Sequence, residues 1–316
     1  MSGSSSDSTT TARAVGFDEY GGIDVLHVDT VDVPAPPAGE VLVRVRAAGI
    51  NPGEAVVRSG AMAEMFPTTF PSGEGSDLAG DVVAVGDGVT SVAVGDAVLG
   101  WTDRRGSHAE LVTVPVENLV PKPDAVPYEV AGALYVAGAA AVASVGATDP
   151  KDGERVLVSG ATGGVGSIAV QLAILRGARV IGVASERNHE YLRTLGAIPV
   201  AYGDGLADAL RAVAPDGLDA VVDTYGGGYV ALGIELGVDP SRINTIIDFA
   251  VVSQYGVHAE GTSSVSGAEV LGRLAELVAT DRLVVEIAAT YPLDQVREAF
   301  TEVEARHTRG KIVLVP

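Results

Sequence analysis

The chain has no cysteine among its 316 residues, and this absence removes several kinds of chemistry at once. Without cysteine there is no disulfide, no catalytic thiolate and no cysteine-ligated zinc site. Basic residues are also scarce, because 21 Lys and Arg stand against 41 Asp and Glu, a formal net charge of −20. No run of basic residues offsets this charge, so a nucleic acid is not expected as a partner.

Long hydrophobic runs are missing as well. The uncharged stretch 130–148 consists mostly of Ala and Gly, and its weak hydrophobicity favours close helix packing in a soluble domain over a membrane span. Residues 1–11 are rich in Ser and Thr and have neither a basic head nor an apolar core, unlike a secretory signal. We therefore expect a disordered tail over 1–11 in a cytoplasmic protein with no membrane partner.

Glycine and hydrophobic residues are plentiful, with 40 glycines and 47% hydrophobic residues. That hydrophobic content is typical of a globular protein, and the length is sufficient for two domains. Glycines and prolines separate short apolar runs over 12–120, which predicts a β-barrel or sandwich. From residue 130 strands and helices alternate, which predicts a parallel sheet with right-handed crossovers.

The second half has a definite order of predicted elements. The strands are expected at 179–184, 198–201, 218–223 and 243–249, and the helices at 188–195, 206–213 and 266–279. Ser266 and Glu269 form a predicted capping box at the start of the last helix. Residues 283–316 are expected to form a strand, a helix and a final strand over 311–315, and to return to the first domain. The predicted domains are therefore 12–129 with 282–316, and 130–281.

A glycine-rich turn, VLVSGATGGVG at 156–166, leads directly into an apolar-periodic helix. Small residues at such a turn let the backbone approach a pyrophosphate, and the helix N-terminus offers N–H donors to that anion. The turn predicts a dinucleotide site that includes Thr162, Gly163, Gly164 and Val165. A purely structural turn is the alternative interpretation.

The end of the next strand indicates which dinucleotide to expect. Ser185, Arg187 and Asn188 lie about twenty residues beyond the turn, where the adenosine ribose binds in such folds. An arginine among hydroxyl and amide donors suits a 2′-phosphate, whereas an acidic residue accepts hydrogen bonds from the ribose hydroxyls. Glu186 is of the acidic type, but we expect it to point outward. The cofactor predicted here is NADP.

These motifs together resemble those of the zinc-independent medium-chain dehydrogenase/reductases, in the quinone oxidoreductase (zeta-crystallin-like) branch. The resemblance covers residues 12–316. The resemblance rests on these motifs: AAGINP at 47–52, GSDLAG at 75–80, the turns at 85–86 and 94–96, GATGGVG at 160–166, ASERNH at 184–189, VDTYGG at 222–227 and RGKIVL at 309–314. It implies an α/β protein with a GroES-like β-rich domain, a Rossmann domain with a doubly wound parallel sheet, and a homodimer.

The resemblance also adds residues to the expected site. Tyr202, Phe249, Val251 and Lys311 join the cofactor residues, and the backbone of 249–251 is expected to end a Rossmann strand and face the nicotinamide carboxamide. Gly-Ser-Asp at 75–77 stands where zinc members carry Gly-His-Glu, and the five histidines show no ligand spacing, so no metal is expected.

Without a metal, the expected reaction relies on hydride donation from NADPH and on hydrogen bonds to an acceptor carbonyl. Quinones and α,β-unsaturated carbonyls fit, because the enolate that forms needs only a hydrogen bond and a proton. Asn51 is expected to donate to the carbonyl or the cofactor ribose, and Tyr135 to supply a phenol. The alternatives are that Asn51 fixes its own turn and that Tyr135 packs in the core. Glu54 is a candidate ion-pair partner of Arg58.

Two other functions stay open on the sequence. Ala140 stands where many relatives carry a hydroxyl near the nicotinamide, so the usual contact is missing. The second hypothesis is therefore a reductase-fold protein that binds a ligand or catalyses a non-redox cyclisation or isomerisation. The third hypothesis, supported by the acidic composition, is a redox sensor that acts through a partner protein. Gln254, Tyr255 and 261–267 are where a particular substrate would be recognised. The leading hypothesis is an NADPH-dependent quinone or enone reductase acting on a small-molecule carbonyl.

Overall fold

The computed structural model describes residues 10–265 and 267–316. Its strands are β1 (Thr10–Phe17), β2 (His27–Val33), β3 (Glu40–Gly49), β4 (Ser72–Gly73), β5 (Asp77–Val85), β6 (Ala97–Trp101), β7 (Leu111–Pro115), β8 (Leu119–Pro121), β9 (Arg155–Val158), β10 (Arg179–Ala184), β11 (Ile198–Ala201), β12 (Ala220–Asp223), β13 (Ile243–Thr245), β14 (Ile287–Pro292) and β15 (Lys311–Val315). Its α-helices are α1 (Pro52–Arg58), α2 (Tyr128–Ala131), α3 (Tyr135–Thr148), α4 (Gly164–Leu175), α5 (His189–Thr194), α6 (Leu206–Val213), α7 (Tyr229–Glu235), α8 (Val252–Tyr255), α9 (Thr262–Val265), α10 (Ala268–Ala279) and α11 (Val296–Glu304).

Two compact units divide the chain. The first contains the described residues up to Tyr135 together with Ala289–His307 and Ile312–Pro316. The second contains Val136–Ala288 and the short segment Thr308–Lys311. The changes of unit thus fall at 135/136, 288/289, 307/308 and 311/312. The sequence analysis expected domain limits at 129/130 and 281/282.

The first unit is built on antiparallel sheets. A small sheet has the order β2-β1-β4, and a larger one has the order β14-β15-β3-β5-β6-β8 with β7 also paired to β3. The inward-facing side chains of β3, Val41, Val43 and Val45, pack in one core with Leu78 of β5. Phe300 of α11 belongs to a second core beside β15. The predicted β-rich domain is confirmed.

The second unit holds a parallel sheet in the order β11-β10-β9-β12-β13. The chain order reverses between β9 and β12, and ligands of open α/β sheets bind at the carboxyl ends of strands at such a switch point. Val156, Leu157 and Val158 of β9 are fully buried, as expected for a parallel strand covered on both faces. The predicted Rossmann sheet is confirmed.

Predicted and observed elements coincide where the periodicity is strong. The strands predicted at 179–184, 198–201 and 311–315 are β10, β11 and β15, and the helix predicted at 206–213 is α6. Residues 130–148 fall in α2 and α3, separated by a short turn. No helix of the described ranges is long and apolar enough to cross a membrane.

The strand predicted over 243–249 is wrong in its second half. β13 ends at Thr245, and Phe249–Val251 form a single 3-10 turn. The Thr245 hydroxyl oxygen accepts hydrogen bonds from the backbone N–H groups of Ile247 and Asp248, at 3.3 and 3.0 Å. These bonds turn the chain away from the sheet, so Phe249 and Val251 do not lie on a strand.

The chain start also differs from the expectation. Thr10 and Thr11, which were expected in a disordered tail, pair with Val33 and Asp32 of β2. The rest of that predicted tail, residues 1–9, lies outside the described residues. Ser266 of the predicted capping box lies outside them too, and α10 begins after Gly267.

Candidate active site

The glycine turn connects β9 to α4 at the switch point of the second unit. A Cβ at Gly166 would lie 2.1 Å from the carbonyl oxygen of Gly160, so only glycine lets α4 pack this close to the turn. A Cβ at Gly163 would meet only that same oxygen, at 3.4 Å, so the backbone before α4 is accessible to a ligand. The N-cap Gly163 has no side chain to cap α4, which leaves the first N–H groups suited to an anion.

Gly166→Ala is expected to lower the free energy of unfolding by about 1–3 kcal/mol, because the added methyl group overpacks the contact between α4 and the turn. Urea unfolding measures this loss. Gly146→Ala is the matched control, since a Cβ at Gly146 in α3 would meet nothing within 4 Å. That control is expected to be neutral or stabilising, and an equal loss in both variants would contradict the packing argument.

The short segment Thr308–Lys311, here called the strap, lies against the glycine turn. The Gly310 N–H donates to the carbonyl oxygen of Thr162 at 2.8 Å, and Gly310 also forms a parallel bridge with Gly163. The Lys311 side chain is buried, with its Cδ 2.7 Å from the position that a Cβ of Gly164 would take. The predicted cofactor residues at the turn and the predicted Lys311 are therefore brought together; Val165 lies partly exposed at the start of α4.

The donors predicted for a 2′-phosphate follow β10. Asn188 donates through Nδ2 to the hydroxyl of Thr162 at 3.3 Å, which ties this loop to the glycine turn. Ser185 is half-buried, whereas Arg187 and Glu186 are exposed. Tyr202 follows β11 and is 59% exposed. Ala184 and Ala201 are paired in the parallel sheet. Ser185 and Tyr202, which follow them, therefore lie at the carboxyl ends of neighbouring strands.

The remaining predicted cofactor residues lie beyond β13. Phe249 is 55% exposed and Val251 is half-buried, packed against the core of the second unit. Of the residues expected to recognise a particular substrate, Tyr255 also packs against that core, while Gln254 is exposed. In the 261–267 segment, Thr262 is the first residue of α9, and its hydroxyl donates to the carbonyl oxygen of Val136 at 3.2 Å.

Asn51, in the first unit, is the N-cap of α1, a helix that was not predicted from the sequence. Its amide Nδ2 donates to the carboxylates of Glu54 at 3.2 Å and Asp77 at 3.1 Å, and its backbone N–H donates to Glu54 at 2.9 Å. Both amide hydrogens are thus used within the protein. In this geometry Asn51 fixes its own turn, which was the alternative interpretation. Asn51 can donate to a substrate only if one of its bonds to Glu54 or Asp77 opens. The signal for α1 was Pro52 at N1 with Glu54 at N3.

Tyr135 stacks on Trp101, with ring centroids 4.0 Å apart and planes 8° from parallel. Only 4% of Tyr135 is exposed, which agrees with the core-packing alternative. Trp101 is the register partner of Asp77 in the β5–β6 pair. Asn51 and Tyr135 therefore lie at the same end of this sheet, connected through Asp77 and Trp101.

A cluster of buried charged groups lies behind Asn51. Arg58, 1% exposed, donates to Glu74 at 3.2 Å and to Glu304 at 2.7 Å, and its guanidinium carbon is 4.4 Å from the ring centroid of Phe300. Burial raises the pKa of Glu74 to about 8, the nearby Glu54 carboxylate adds to the rise, and Arg58 opposes it.

Glu54 was a candidate ion-pair partner of Arg58, and the structure places its carboxylate elsewhere. Besides its bonds with Asn51, Glu54 accepts from the backbone N–H of Ser76 at 3.1 Å. Its oxygens therefore join α1 to the segment that precedes β5. In the part of the chain that the structure describes, no group of three or more His, Asp or Glu side chains is arranged to hold a metal ion.

Family profiles match both parts of the chain. Residues 37–124 match the alcohol dehydrogenase GroES-like domain, and residues 195–314 match the zinc-binding dehydrogenase domain. Together with the parallel sheet and its glycine turn, these matches define an oxidoreductase of the medium-chain dehydrogenase/reductase class.

Three relatives narrow this class. A quinone oxidoreductase of Pseudomonas aeruginosa is 30% identical over 335 residues, which cover 96% of this chain and 100% of the relative. An NADPH-dependent alkenal/one oxidoreductase of Arabidopsis thaliana is 29% identical over 96% of this chain and 79% of its own length. The solved structure of the quinone oxidoreductase from Coxiella burnetii superposes with a TM-score of 0.88, at 30% identity, over 97% of this chain and 100% of that one. The chain belongs to the zinc-independent quinone oxidoreductase family of medium-chain dehydrogenase/reductases.

Proposed function

We propose that this protein is an NADPH-dependent oxidoreductase that transfers hydride to a quinone or an α,β-unsaturated carbonyl without a metal. The observation that carries the proposal is the donor set after β10, hydrogen-bonded to the glycine turn through Asn188 and Thr162. The names of two relatives support the substrate class, since one is a quinone oxidoreductase and the other an alkenal/one oxidoreductase. Both kinds of acceptor are conjugated carbonyls.

The pyrophosphate of the cofactor is assigned to the start of α4. Backbone N–H groups at the start of α4, from Gly164 onward, supply the donors, and the helix dipole favours the negative charge. Lys311 lies over Gly164 and adds a positive charge to the same place. When bound, the cofactor supplies the hydride, and the protein contributes orientation and a water-poor surrounding.

The 2′-phosphate is assigned to Arg187 with Ser185, Asn188 and Tyr202. A guanidinium gives a charge-assisted, bidentate hydrogen bond to phosphate, which the neutral donors complete. Glu186 is exposed and takes no part in this assignment. The site therefore favours NADPH over NADH.

Arg187→Ala is expected to weaken NADPH binding by about 1.5 to 3 kcal/mol and to leave NADH binding nearly unchanged, because only the phosphorylated cofactor loses a charged partner. Calorimetric titration with each cofactor measures the difference. Arg179→Ala is the matched control, since Arg179 is an exposed arginine at the opposite end of β10. An equal effect of Arg187→Ala on both cofactors would contradict the phosphate assignment.

The acceptor side is assigned to the first unit, to the region of Asn51 and Tyr135. Both side chains are buried and fixed by Glu54, Asp77 and Trp101. We propose that they shape the acceptor pocket, and that any hydrogen bond from Asn51 to a carbonyl replaces one of its bonds to a carboxylate. The homodimer and the cytoplasmic location expected from the sequence also stay proposals.

The decisive experiment combines binding with turnover. The purified protein is titrated with NADPH and with NADH, and the absorbance of the reduced nicotinamide is then followed after addition of a small quinone or a small enone. Tight NADPH binding with turnover supports the proposal. Absence of binding refutes it, and binding without turnover on any conjugated carbonyl favours the ligand-binding or isomerase alternative.

A further inference from the structure

Asp223, the last residue of β12, is a buried carboxylate at the switch point. Its residue exposure is 0%, and the loops that follow β9, β12 and β13 all begin beside it. Ionised carboxylates are almost never fully buried unless they are hydrogen-bonded or paired. The partners of Asp223 therefore indicate what it does.

The carboxylate accepts hydrogen bonds from two hydroxyl groups and two backbone N–H groups. Oδ1 accepts from the Ser159 hydroxyl at 2.5 Å, from the Tyr225 N–H at 3.2 Å and from the Gly226 N–H at 2.9 Å. Oδ2 accepts from the Thr245 hydroxyl at 2.8 Å. These donors come from the ends of three different strands, so a single side chain joins their loops.

The Ser159 hydroxyl has no freedom to bond differently. Its oxygen already accepts from the backbone N–H of Thr224 at 2.9 Å, and at 3.1 Å it shares the Tyr225 N–H with Oδ1 of Asp223. A hydroxyl has one donor and two acceptor positions, so its hydrogen must go to Asp223. The Thr224 hydroxyl closes the connection by donating to the carbonyl oxygen of Ser159 at 2.7 Å.

Thr245 repeats this arrangement on the other side of Asp223. Its oxygen accepts from the N–H groups of Ile247 and Asp248, and its hydrogen goes to the carboxylate. Both hydroxyls therefore require an acceptor that carries no hydrogen. An amide at position 223 would turn its nitrogen toward at least one group that has no lone pair left to accept.

At the carboxyl ends of the strands, the two halves of the sheet are expected to hold different halves of the cofactor. The donors assigned to the 2′-phosphate follow β10 and β11, on one side of the switch point. A dinucleotide that crosses this point places its other half over β12 and β13. The 224–228 loop and the 246–251 loop follow these two strands, and both are connected to Asp223.

We infer that Asp223 is a positioning residue for the nicotinamide half of the cofactor, because it fixes the two loops that follow β12 and β13, the strands under this half. The inference rests on the proposed function. It extends that function by predicting that the nicotinamide half of the cofactor depends on Asp223 more strongly than the adenosine half does. Asp223 itself is buried and is not assigned a contact with the cofactor.

The test compares two ligands that share the adenosine half. Wild type and Asp223→Asn are titrated with NADPH and with 2′,5′-ADP, which lacks the nicotinamide. Asp223→Asn is expected to weaken NADPH binding about tenfold and 2′,5′-ADP binding less than about twofold. The fluorescence of bound NADPH, which reports the surroundings of the reduced ring, is expected to change as well.

Asp219→Asn is the matched control, because Asp219 immediately precedes β12, at the end of the strand opposite to Asp223. It binds the Arg155 side chain at 2.9 Å, so its loss affects stability and leaves the affinity for both ligands unchanged. If Asp223→Asn does not fold, Thr245→Val keeps the carboxylate and removes only the Thr245 hydroxyl, which donates to Asp223 and accepts from Ile247 and Asp248. This variant is expected to give about a threefold loss for NADPH alone.

The outcomes are separable. Equal weakening of both ligands, or no weakening of NADPH, in a folded Asp223 or Thr245 variant overturns the inference. Wild type that binds neither ligand refutes the proposed function instead. Selective loss of NADPH affinity, with Asp219→Asn unchanged, supports the positioning role.

Discussion

Replacing Arg58 by methionine is expected to lower the free energy of unfolding by about 3–5 kcal/mol above about pH 8, where Glu74 is ionised, because this is the usual cost of removing one partner from a buried ion pair. Arg58 is 1% exposed, and Glu74, which it holds, is 1% exposed as well. Methionine leaves the Glu74 carboxylate buried without its cation and the Glu304 carboxylate without its 2.7 Å partner. Urea unfolding followed by tryptophan fluorescence measures the loss.

Arg104→Met is the matched control for this prediction. Arg104 makes a close ion pair with Glu40, at 2.6 Å, but its side chain is 62% exposed. A solvated pair contributes about 0–1 kcal/mol, so the control is expected to unfold nearly like wild type. A loss of similar size in both variants would show that burial around Arg58 is not the cause.

The contribution of Glu74 to stability is expected to fall as the pH rises from acid to mildly alkaline values, and Glu74→Gln is expected to remove this component of the profile. Burial raises the pKa of Glu74 from 4.5 to about 8, so the folded state keeps a proton that the unfolded chain releases. The stabilising contribution is therefore complete below pH 4.5 and lost once the pH passes about 8. Its size is on the order of a few kcal/mol. Urea unfolding of both proteins across this range measures it.

Glu110→Gln supplies a control of opposite sign. Hydrogen bonds from the backbone N–H and the side chain of Arg13 lower the pKa of Glu110, so its contribution is present above its ordinary pKa and is lost as the pH falls. This variant is expected to change only the acid side of the profile. If Glu74→Gln follows the wild-type slope between pH 4.5 and about 8, Glu74 does not carry the dependence.

Much of the Rossmann unit could be predicted because its signals are local. Apolar periodicity alone predicts β10, β11 and α6. The glycine pattern predicts the turn, and the structure gives the reason for one of its glycines, because a Cβ at Gly166 would not fit. The strand over 243–249 failed because its end depends on Thr245, whose hydroxyl is held by Asp223 from another strand. A pattern along one segment does not contain that constraint.

The site was predicted in the same uneven way. The glycine turn and Lys311, far apart in the sequence, were both expected at the cofactor, and the structure brings them together through the strap. The buried cluster behind Asn51 was not predicted. Only Glu54 and Arg58 were singled out from the sequence, as a candidate ion pair. Nothing local marks Glu74 in an acidic sequence, and only the folded chain shows that it is buried.

The stacking of Trp101 on Tyr135 has a practical consequence for studying how the chain unfolds. The chain contains one tryptophan, and this residue lies in the first unit. Tryptophan emission therefore reports the loss of structure in that unit alone, whereas far-ultraviolet circular dichroism sums over both. Melting curves from the two signals that separate would show that the units unfold independently, and curves that coincide would show a single cooperative transition.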